Sequence, residues 1–391
     1  MIRARYLEAP VAADLGEKMV FVAGPRQVGK TTLARALLQR QPGLYLSWDS
    51  RLDRKEIRGA LWPAEESLVV LDELHKWRGW KGWLKGEFDK HRDRIRFLVT
   101  GSARMDVYRR GGDSLQGRYR HYRLHPFSVA EVLGAGREPG VPEPGAELSF
   151  PAQGDRDLVT QLLAVSGFPE PFLAGAGRAH RRWQKERLDR FFREDVRDLE
   201  ALRDLSSLQL LADMLPERVG SPLSINALRE DLEVSHRAVS HWMDVLERLC
   251  HVVRLRPWSS PRLRALRRMP KAYLWDWTGV ESPGPRFENL VALHLLKFCH
   301  YLQDREGFAV ELHYLRDRAG HEVDFLVSVG RSPWFAVEAK LAETVIDPSL
   351  VYFRDRLGLR QAYQVVLEGQ RDFLQNGVRC LPAARFLAAL A

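Results

Sequence analysis

The sequence predicts a multidomain α/β protein with a covered parallel sheet near its amino end and a separate α+β unit near its carboxyl end. A chain of 391 residues is too long for one ordinary core and suggests two or three domains. Residues 19–132 alternate short apolar runs with helical patterns, the rhythm of a parallel sheet with helices on both faces. From residue 310 onward, strand patterns dominate instead.

The composition narrows the class of protein further. Hydrophobic residues make up 45% and charged residues 28% of the chain, which indicates a globular rather than a disordered protein. No secretory signal is recognisable, and no run approaches the ~18 apolar residues of a membrane span, so we expect a cytoplasmic protein without a membrane partner. Three widely separated cysteines argue against disulfides and zinc. A net charge of +9 favours an anionic partner such as nucleic acid.

The apolar runs place the first strands and helices. Predicted strands of the parallel sheet are Met19–Ala23, Gly43–Trp48, Leu68–Leu71 and Arg96–Thr100. Helical spacing runs from Asp157 to about Leu215 and returns at Ser224–Leu232, Ser235–Leu249 and Phe287–His300. Later strands are predicted at Val310–Leu315, Glu322–Val329, Phe335–Ala339 and Gln361–Val366.

Residues 24–31 match the pattern G-x-x-x-x-G-K-[ST] between an apolar strand and the helical run Thr32–Leu38. Glycines let the backbone curl so that its N–H groups face phosphates, and the helix N-terminus favours negative charge there. Lys30 would reach the β- and γ-phosphates of ATP, and the Thr31 hydroxyl would ligate Mg²⁺. The predicted nucleotide-binding residues are Gly24, Pro25, Arg26, Gln27, Val28, Gly29, Lys30, Thr31 and Thr32.

An acidic pair follows the next buried strand run, at Asp72 and Glu73. Asp72 would hold Mg²⁺, and Glu73 would activate the attacking water. After the following strand, Thr100 and Ser102 are candidates to contact the γ-phosphate or to orient that water. Arg118 is either an arginine finger acting across a subunit boundary or one more surface arginine.

Several segments resemble a group of prokaryotic AAA+-type ATPases; they read GPRQVGKTTL, LDELHKW, FLVTGSAR, LQGRYRHYRLHPFS and SGFPEP. The resemblance implies an AAA+ P-loop ATPase core, a helical and winged-helix middle domain, and an α+β C-terminal domain related to restriction endonucleases, of the PD-(D/E)xK type. It also implies assembly into a ring, often hexameric, with ATP at subunit interfaces. The expected boundaries are 1–132 for the ATPase core, 133–157 for a Gly/Pro-rich loop, 158–258 for the helical lid and winged helix, 259–285 for a basic linker, and 286–391 for the nuclease-like domain.

Two features indicate contact with DNA. The helix after Ser235 would bury an apolar stripe and turn His236, Arg237, Ser240 and His241 outward, as a recognition helix does. Its acids Asp244 and Glu247 interrupt that surface, and winged helices also serve as protein-binding modules. The second feature is a basic run without acids that would neutralise phosphates; its members are Arg254, Arg256, Arg262, Arg264, Arg267, Arg268 and Lys271. A basic linker without a partner is the competing interpretation.

A constellation of acids lies near the carboxyl end. Period-two geometry in a β-hairpin would bring Asp324 beside Glu338, with Lys340 close by. Two carboxylates suit Mg²⁺ or Mn²⁺, and a lysine would stabilise charge on a scissile phosphate. The spacing resembles the D…E-x-K core of restriction-endonuclease-like nucleases, and Glu288 matches their additional helical acid, although Val323 stands where proline is usual. Related domains also keep such residues without cleaving anything.

Together these features predict an ATPase that uses ATP and Mg²⁺ and acts on DNA as a homo-oligomer, with a second Mg²⁺ or Mn²⁺ in a metal-dependent nuclease site. Two alternatives stay open. One is an ATP-dependent regulatory switch that binds a protein partner and carries an inactive nuclease fold. The other is an ATP-gated DNA nuclease.

Overall fold

The computed structural model describes residues 4–102, 115–134, 138–196, 204–259 and 269–391. Contacts divide the chain into two compact units. The first comprises residues 1–126 with 131–139, and the second comprises residues 127–130 with 140–391.

The first unit is built on a five-stranded sheet in the order β2-β3-β4-β1-β5, and every neighbouring pair is parallel. The strands are β1 (Met19–Gly24), β2 (Gly43–Ser47), β3 (Ser67–Asp72), β4 (Ile95–Ser102) and β5 (Tyr119–Arg123). The predicted parallel sheet is confirmed. The edge strand β5 was missed because its alternation of basic and aromatic residues lacks the apolar run of a central strand.

Helices cover this sheet through apolar stripes. They span Glu8–Asp14, Lys30–Leu38, Arg51–Gly59 and Trp80–His91, with a 3₁₀ turn at Leu74–Lys76. A further short helix spans Val129–Leu133. Ser50 caps the third helix, since its hydroxyl accepts a hydrogen bond from the backbone N–H of Asp53. Phe21, Val69 and Phe97 are buried in the core. This packing fixes the carboxyl ends of the strands, where the polar residues lie.

In the second unit, residues 140–155 contain no helix or strand, and helices follow them. The helices span Arg156–Val165, Pro169–Ala174, Arg178–Arg190, Leu205–Met214, Ile225–Asp231 and His236–Arg248, with a π-helical stretch at Phe191–Val196 and a 3₁₀ turn at Pro216–Arg218. Ser235 caps the last of these helices, because its hydroxyl accepts a hydrogen bond from the N–H of Ala238. Val239, Trp242 and Leu246 are buried, as the helical spacing predicts.

An antiparallel ribbon follows the helix pair and consists of β6 (Val252–Leu255) and β7 (Lys271–Leu274). The predicted basic linker at 259–285 is therefore wrong for its second half. All four residues of β7 are buried, and a 3₁₀ turn at Trp277–Gly279 buries Trp277. The many basic residues before β7 concealed this short strand.

The unit ends with a six-stranded mixed sheet in the order β12-β13-β11-β10-β9-β8. Its strands are β8 (Val310–Arg316), β9 (Glu322–Val329), β10 (Ser332–Lys340), β11 (Gln361–Val366), β12 (Phe373–Gln375) and β13 (Val378–Pro382). The helices span Pro283–Glu306, Pro348–Leu357 and Ala383–Ala388. β9 and β10 form the predicted hairpin, while β10, β11 and β13 run parallel. Among the described residues, no helix is long and apolar enough to cross a membrane.

Candidate ATP site and carboxylate cluster

The loop after β1 has the backbone of a phosphate cradle. Gly29 has φ 98°, a left-handed conformation that favours glycine, and it begins helix Lys30–Leu38. Gly24 has no room for a side chain, because a Cβ there would lie 2.4 Å from the carbonyl oxygen of Leu124. The buried Lys30 donates to the carbonyl oxygens of Gly24 and Pro25, at 2.9 and 2.8 Å. Its ammonium is therefore held directly against the loop that would receive phosphates.

Asp72 lies at the carboxyl end of β3, in register with Thr100 on β4. The Thr100 hydroxyl donates to Asp72 Oδ1 at 2.5 Å, and the Tyr45 hydroxyl donates to Oδ2. Tyr45 is also hydrogen-bonded to Thr31. Burial, and then the bond to Asp72, raise the pKa of Tyr45. Tyr45 thus links Thr31 to Asp72. The hydrogen bond from Thr100 orients the carboxylate of Asp72 in this structure.

Glu73 follows in a left-handed backbone conformation, with φ 55°. Its backbone N–H donates to the carbonyl oxygen of Thr100 at 2.9 Å, and its side chain is 20% exposed. Lys76 Nζ lies 3.3 Å from Glu73 Oε2 and 2.7 Å from Asp49 Oδ2. Burial lowers the pKa of Lys76, but the two carboxylates outweigh burial and the net pKa is raised. The side chain of Glu73, the general-base candidate, is therefore mostly buried and held by Lys76.

These side chains fit ATP with Mg²⁺. Lys30 and the loop N–H groups would hold the phosphates, and Thr31 and Asp72 supply the oxygen ligands that Mg²⁺ prefers. When bound, Mg²⁺ would neutralise charge that develops on the phosphates. Glu73 would accept the proton of the attacking water, the role of a general base.

A buried ion pair contacts the phosphate loop and stabilises it. Arg5 Nε lies 2.6 Å from Glu131 Oε1, and the two side chains are 5% and 0% exposed. The guanidinium of Arg5 also donates to the carbonyl oxygens of Val28 and His125. Sequence reasoning missed this pair, because nothing in the spacing of two residues 126 positions apart shows that they meet.

Substituting Arg5 by methionine is expected to destabilise the first unit by roughly 3–5 kcal/mol, because the buried Glu131 loses the guanidinium that is paired with it. Urea unfolding measures the loss. The control is Arg96→Met, whose ion pair with Glu66 is exposed, and whose cost we expect to stay below about 1 kcal/mol. Equal losses in the two variants would contradict the bracing role of Arg5.

Of two further predicted site residues, Arg118 lies away from the phosphate loop, and the side chain of Ser102 is not described. The carbonyl oxygen of Arg118 accepts from the N–H of Met19, at the amino end of β1 and so at the opposite end from the phosphate loop. Its guanidinium pairs with Asp89 at 2.7 and 3.0 Å. Within one chain Arg118 therefore lies away from the phosphate loop. The role across a subunit boundary and the surface-arginine interpretation both stay predictions. The side chain of Ser102 lies outside the described residues.

The predicted DNA-facing residues divide into three groups. On helix His236–Arg248, His236 and Arg237 are exposed and Ser240 and His241 are half-buried, and Arg256 beyond β6 is exposed. Arg262, Arg264, Arg267 and Arg268 lie outside the described residues. The other two predictions, Arg254 and Lys271, need correction.

Arg254 and Lys271 face carboxylates of their own chain. Arg254 is paired with Asp244 at 2.6 Å and with Glu247. Lys271 is buried, with its side chain 1% exposed, and its ammonium lies against the acids of the second sheet. The basic run in the sequence does not show these partners, because they lie on a preceding helix, on a later helix and on β9. Neither residue is available to phosphates in this structure.

The hairpin brings together the acids that sequence spacing paired. The N–H of Asp324 donates to Glu338 Oε2 at 3.2 Å, and Asp324 Oδ2 accepts from the N–H of Ala339 at 3.0 Å. Lys340 Nζ lies 2.8 Å from Glu338 Oε1 and 2.9 Å from Asp347 Oδ2. Burial, and then the charge of Asp324, raise the pKa of Glu338 to about 8.

Glu288 joins these acids from helix Pro283–Glu306. The Tyr273 hydroxyl donates to Glu288 Oε1 at 2.7 Å. Burial, and then Asp324, raise the pKa of Glu288 to about 7. Gly220, at φ 76°, packs so closely that a Cβ would lie 2.6 Å from Glu288 Oε2. Among the described residues, no group of three or more His, Cys, Asp or Glu is arranged to hold a metal ion.

A Glu338→Gln substitution is expected to change the pH dependence of stability. Since the folded pKa of about 8 exceeds the ordinary value of 4.5, the carboxyl binds its proton more tightly when folded. Its stabilising contribution is complete below about pH 4.5 and is lost as the pH rises to about 8. Gln imitates the protonated form. The free energy of unfolding of the variant, relative to that of the parent, should therefore be higher at pH 8.5 than at pH 5. Urea unfolding at both pH values measures this gain. The exposed control Glu368→Gln should differ from the parent by the same free energy of unfolding at pH 5 and at pH 8.5. The same behaviour in Glu338→Gln would contradict the raised pKa of Glu338.

Comparison with known proteins separates the chain into three stretches. Residues 16–133 match the family model of an AAA domain. Residues 156–279 and 283–386 match two domains of unknown function, DUF8612 and DUF4143. With the phosphate loop, the acidic pair and the parallel sheet in place, the first unit contains an AAA-type P-loop ATPase domain.

The relatives at the level of the whole chain are distant. Uncharacterized proteins of Mycobacterium bovis and Mycobacterium tuberculosis are each 24% identical over 264 residues, which are 67% of this chain and 55% of theirs. The matched stretch thus covers little more than half of those relatives.

Solved structures of similar arrangement include the Walker-type ATPase of Pyrococcus abyssi, at 15% identity and TM-score 0.42, covering 70% of this chain and 93% of that one. The Aeropyrum pernix ORC1 protein in complex with DNA has 17% identity and TM-score 0.35, with coverage of 74% and 94%. Thermotoga maritima RuvB has 16% identity and TM-score 0.32, with coverage of 68% and 89%. Such scores are too low to support an argument about function, so the ATPase assignment rests on the family match and on the site.

Proposed function

We propose that this chain is an ATP-hydrolysing AAA-type protein that binds DNA through the outer face of helix His236–Arg248 and couples ATP turnover to that contact. Turnover is assigned to Lys30, Thr31, Asp72 and Glu73. The observation that supports the DNA contact is the charge arrangement on the helix and its neighbouring strand.

The helix presents a compact polar face over a buried apolar stripe. His236 and Arg237 project at its amino end, where the helix dipole also favours a phosphate. Asp244 and Glu247, which interrupt the positive surface in the sequence, are both paired with Arg254 from β6. The repulsion that these acids would exert on DNA is therefore largely offset within the chain.

Fluorescence anisotropy with labelled duplex, forked and single-stranded DNA tests the contact. We expect binding that weakens steeply with salt, and a loss of roughly tenfold or more in Arg237→Glu, because a cation near phosphates becomes an anion. The matched control is Arg331→Glu, an exposed arginine at the β9–β10 turn of the same unit. Equal affinity of the two variants would contradict the assignment of the face.

A regulatory switch that binds a protein partner is the second candidate. It is favoured by the internal neutralisation of Arg254 and Lys271, which removes two of the predicted phosphate contacts. In that case DNA of every form would leave both ATP turnover and anisotropy unchanged, while a protein partner would alter turnover.

Assembly into a ring, hexameric by resemblance, belongs to the same proposal. In it, Arg118 would leave Asp89 and reach the ATP of a neighbouring subunit. Light scattering with and without ATP tests assembly. A chain that stays monomeric in both conditions would remove this role from Arg118.

A further inference from the structure

Lys271 lies at the centre of the carboxylate cluster of the second unit, which we define as Glu288, Glu322, Asp324 and Glu338. Its Nζ lies 2.8 Å from Glu322 Oε1, 3.3 Å from Glu288 Oε1 and 3.4 Å from Asp324 Oδ1. Three carboxylates from a helix and a strand thus converge on one ammonium group. A buried ammonium of this kind is stable only when it is paired in this way.

Lys271 is buried within the fold and does not lie on the surface. Its Nζ is 5.5 Å from the centre of the Tyr314 ring. Burial lowers the pKa of Lys271, but Asp324, Glu288 and Glu322 outweigh burial and the net pKa is raised. The ammonium therefore stays charged throughout the physiological pH range.

A divalent ion does not fit the carboxylates as they are arranged. Mg²⁺ would need several oxygens at about 2.1 Å, in the space between carboxylates that Lys271 fills. The remaining acid is engaged as well, because Glu338 accepts from Lys340 and from the N–H of Asp324. These side chains are therefore not arranged to hold the predicted second Mg²⁺ or Mn²⁺.

The strand that carries Lys271 comes from outside the mixed sheet. β7 pairs with β6 and contributes both Lys271 and Tyr273 to the cluster. An isolated bridge joins Lys271 to Pro222, and the backbone N–H of Gly220 donates to the carbonyl oxygen of Ala272 at 3.2 Å. The cation is therefore fixed by backbone pairing on both sides of β7, and not only by its charge.

We propose that Lys271 is the built-in cation of the carboxylate cluster and takes the place of a divalent metal ion. The cluster then stabilises the junction of β7 with the mixed sheet and does not support metal-dependent cleavage. This proposal does not depend on ATP turnover or on DNA binding.

Mn²⁺ binding by the nucleotide-free full chain, followed by electron paramagnetic resonance, tests the proposal. Asp324→Asn should not reduce Mn²⁺ binding by the parent chain, because the carboxylate cluster of the parent holds no Mn²⁺. Lys271→Met deletes the charge but keeps much of the side-chain volume. This variant should gain one Mn²⁺ site, with an affinity at least roughly tenfold higher than that of any Mn²⁺ binding by the parent. The double variant Lys271→Met/Asp324→Asn should lose it again. Lys271→Arg is the matched control, because it keeps the positive charge and should bind no Mn²⁺.

Two results would overturn the proposal. One is Mn²⁺ bound by the parent and lost in Asp324→Asn, which would show that metal and lysine coexist. The other is a folded Lys271→Met chain with no more Mn²⁺ than the parent. If Lys271→Met unfolds at low metal, its thermal unfolding is followed with added Mn²⁺. A rise in midpoint that the parent does not show supports the proposal, and no rise contradicts it.

Discussion

Substituting Glu73 by glutamine is expected to reduce ATP turnover by at least about 10²-fold while ATP binding is retained. The glutamine keeps the size of the side chain and a polar oxygen, but it cannot take a proton from water. Lys30, Thr31 and Asp72 are unchanged, so the phosphates and Mg²⁺ keep their ligands. Phosphate release under saturating ATP and equilibrium binding of a fluorescent ATP analogue measure the two effects separately.

The matched control is Glu65→Gln, an exposed glutamate just before the amino end of β3, far from the phosphate loop along the strand. It should leave turnover unchanged. If Glu73→Gln hydrolyses ATP at the parental rate, Glu73 is not the general base and the site assignment fails.

Lys30→Ala should weaken ATP binding roughly 10- to 100-fold, because a charged hydrogen bond to phosphate contributes about 1.5–3 kcal/mol. Hydrolysis should fall with it. Lys30 also donates to the carbonyl oxygens of Gly24 and Pro25, so its loss removes contacts within the loop itself. Isothermal titration with ATP measures the affinity, and thermal unfolding shows whether the loop change spreads to the fold.

Lys55→Ala is the control for this substitution, since Lys55 is an exposed lysine on helix Arg51–Gly59 of the same unit. A Lys30→Ala chain that binds ATP as tightly as the Lys55→Ala chain would contradict the role of the loop.

The arrangement of the candidate ATP site could be predicted in large part, because it depends on one loop and on neighbouring parallel strands. The phosphate loop is one continuous segment, and Asp72 and Thr100 lie at or near the carboxyl ends of neighbouring parallel strands, which meet at one edge of the sheet. Tyr45 could not be predicted, since its role depends on the register of β2 beside β3. The partner of Arg118 could not be predicted, because the sequence shows its charge but not its contact with Asp89, which lies on an earlier helix.

The second unit shows the same limit more sharply. The juxtaposition of Asp324 and Glu338 follows from a hairpin with period-two geometry, and the structure brings them together. Lys271 was grouped with a basic run, because its position relative to Glu288 and Asp324 depends on how β7 packs. A linear count of charges cannot distinguish a cation that faces solvent from one that is buried among carboxylates.

The most direct measurement of the central claim is steady-state ATP turnover with and without a panel of single-stranded, duplex, forked and four-way DNAs. We expect turnover that requires Mg²⁺, rises several-fold with at least one DNA form, and loses that rise in Arg237→Glu while basal turnover is kept. Turnover that is the same with every DNA would contradict coupling to DNA, and an absence of turnover in all conditions would contradict the ATPase itself.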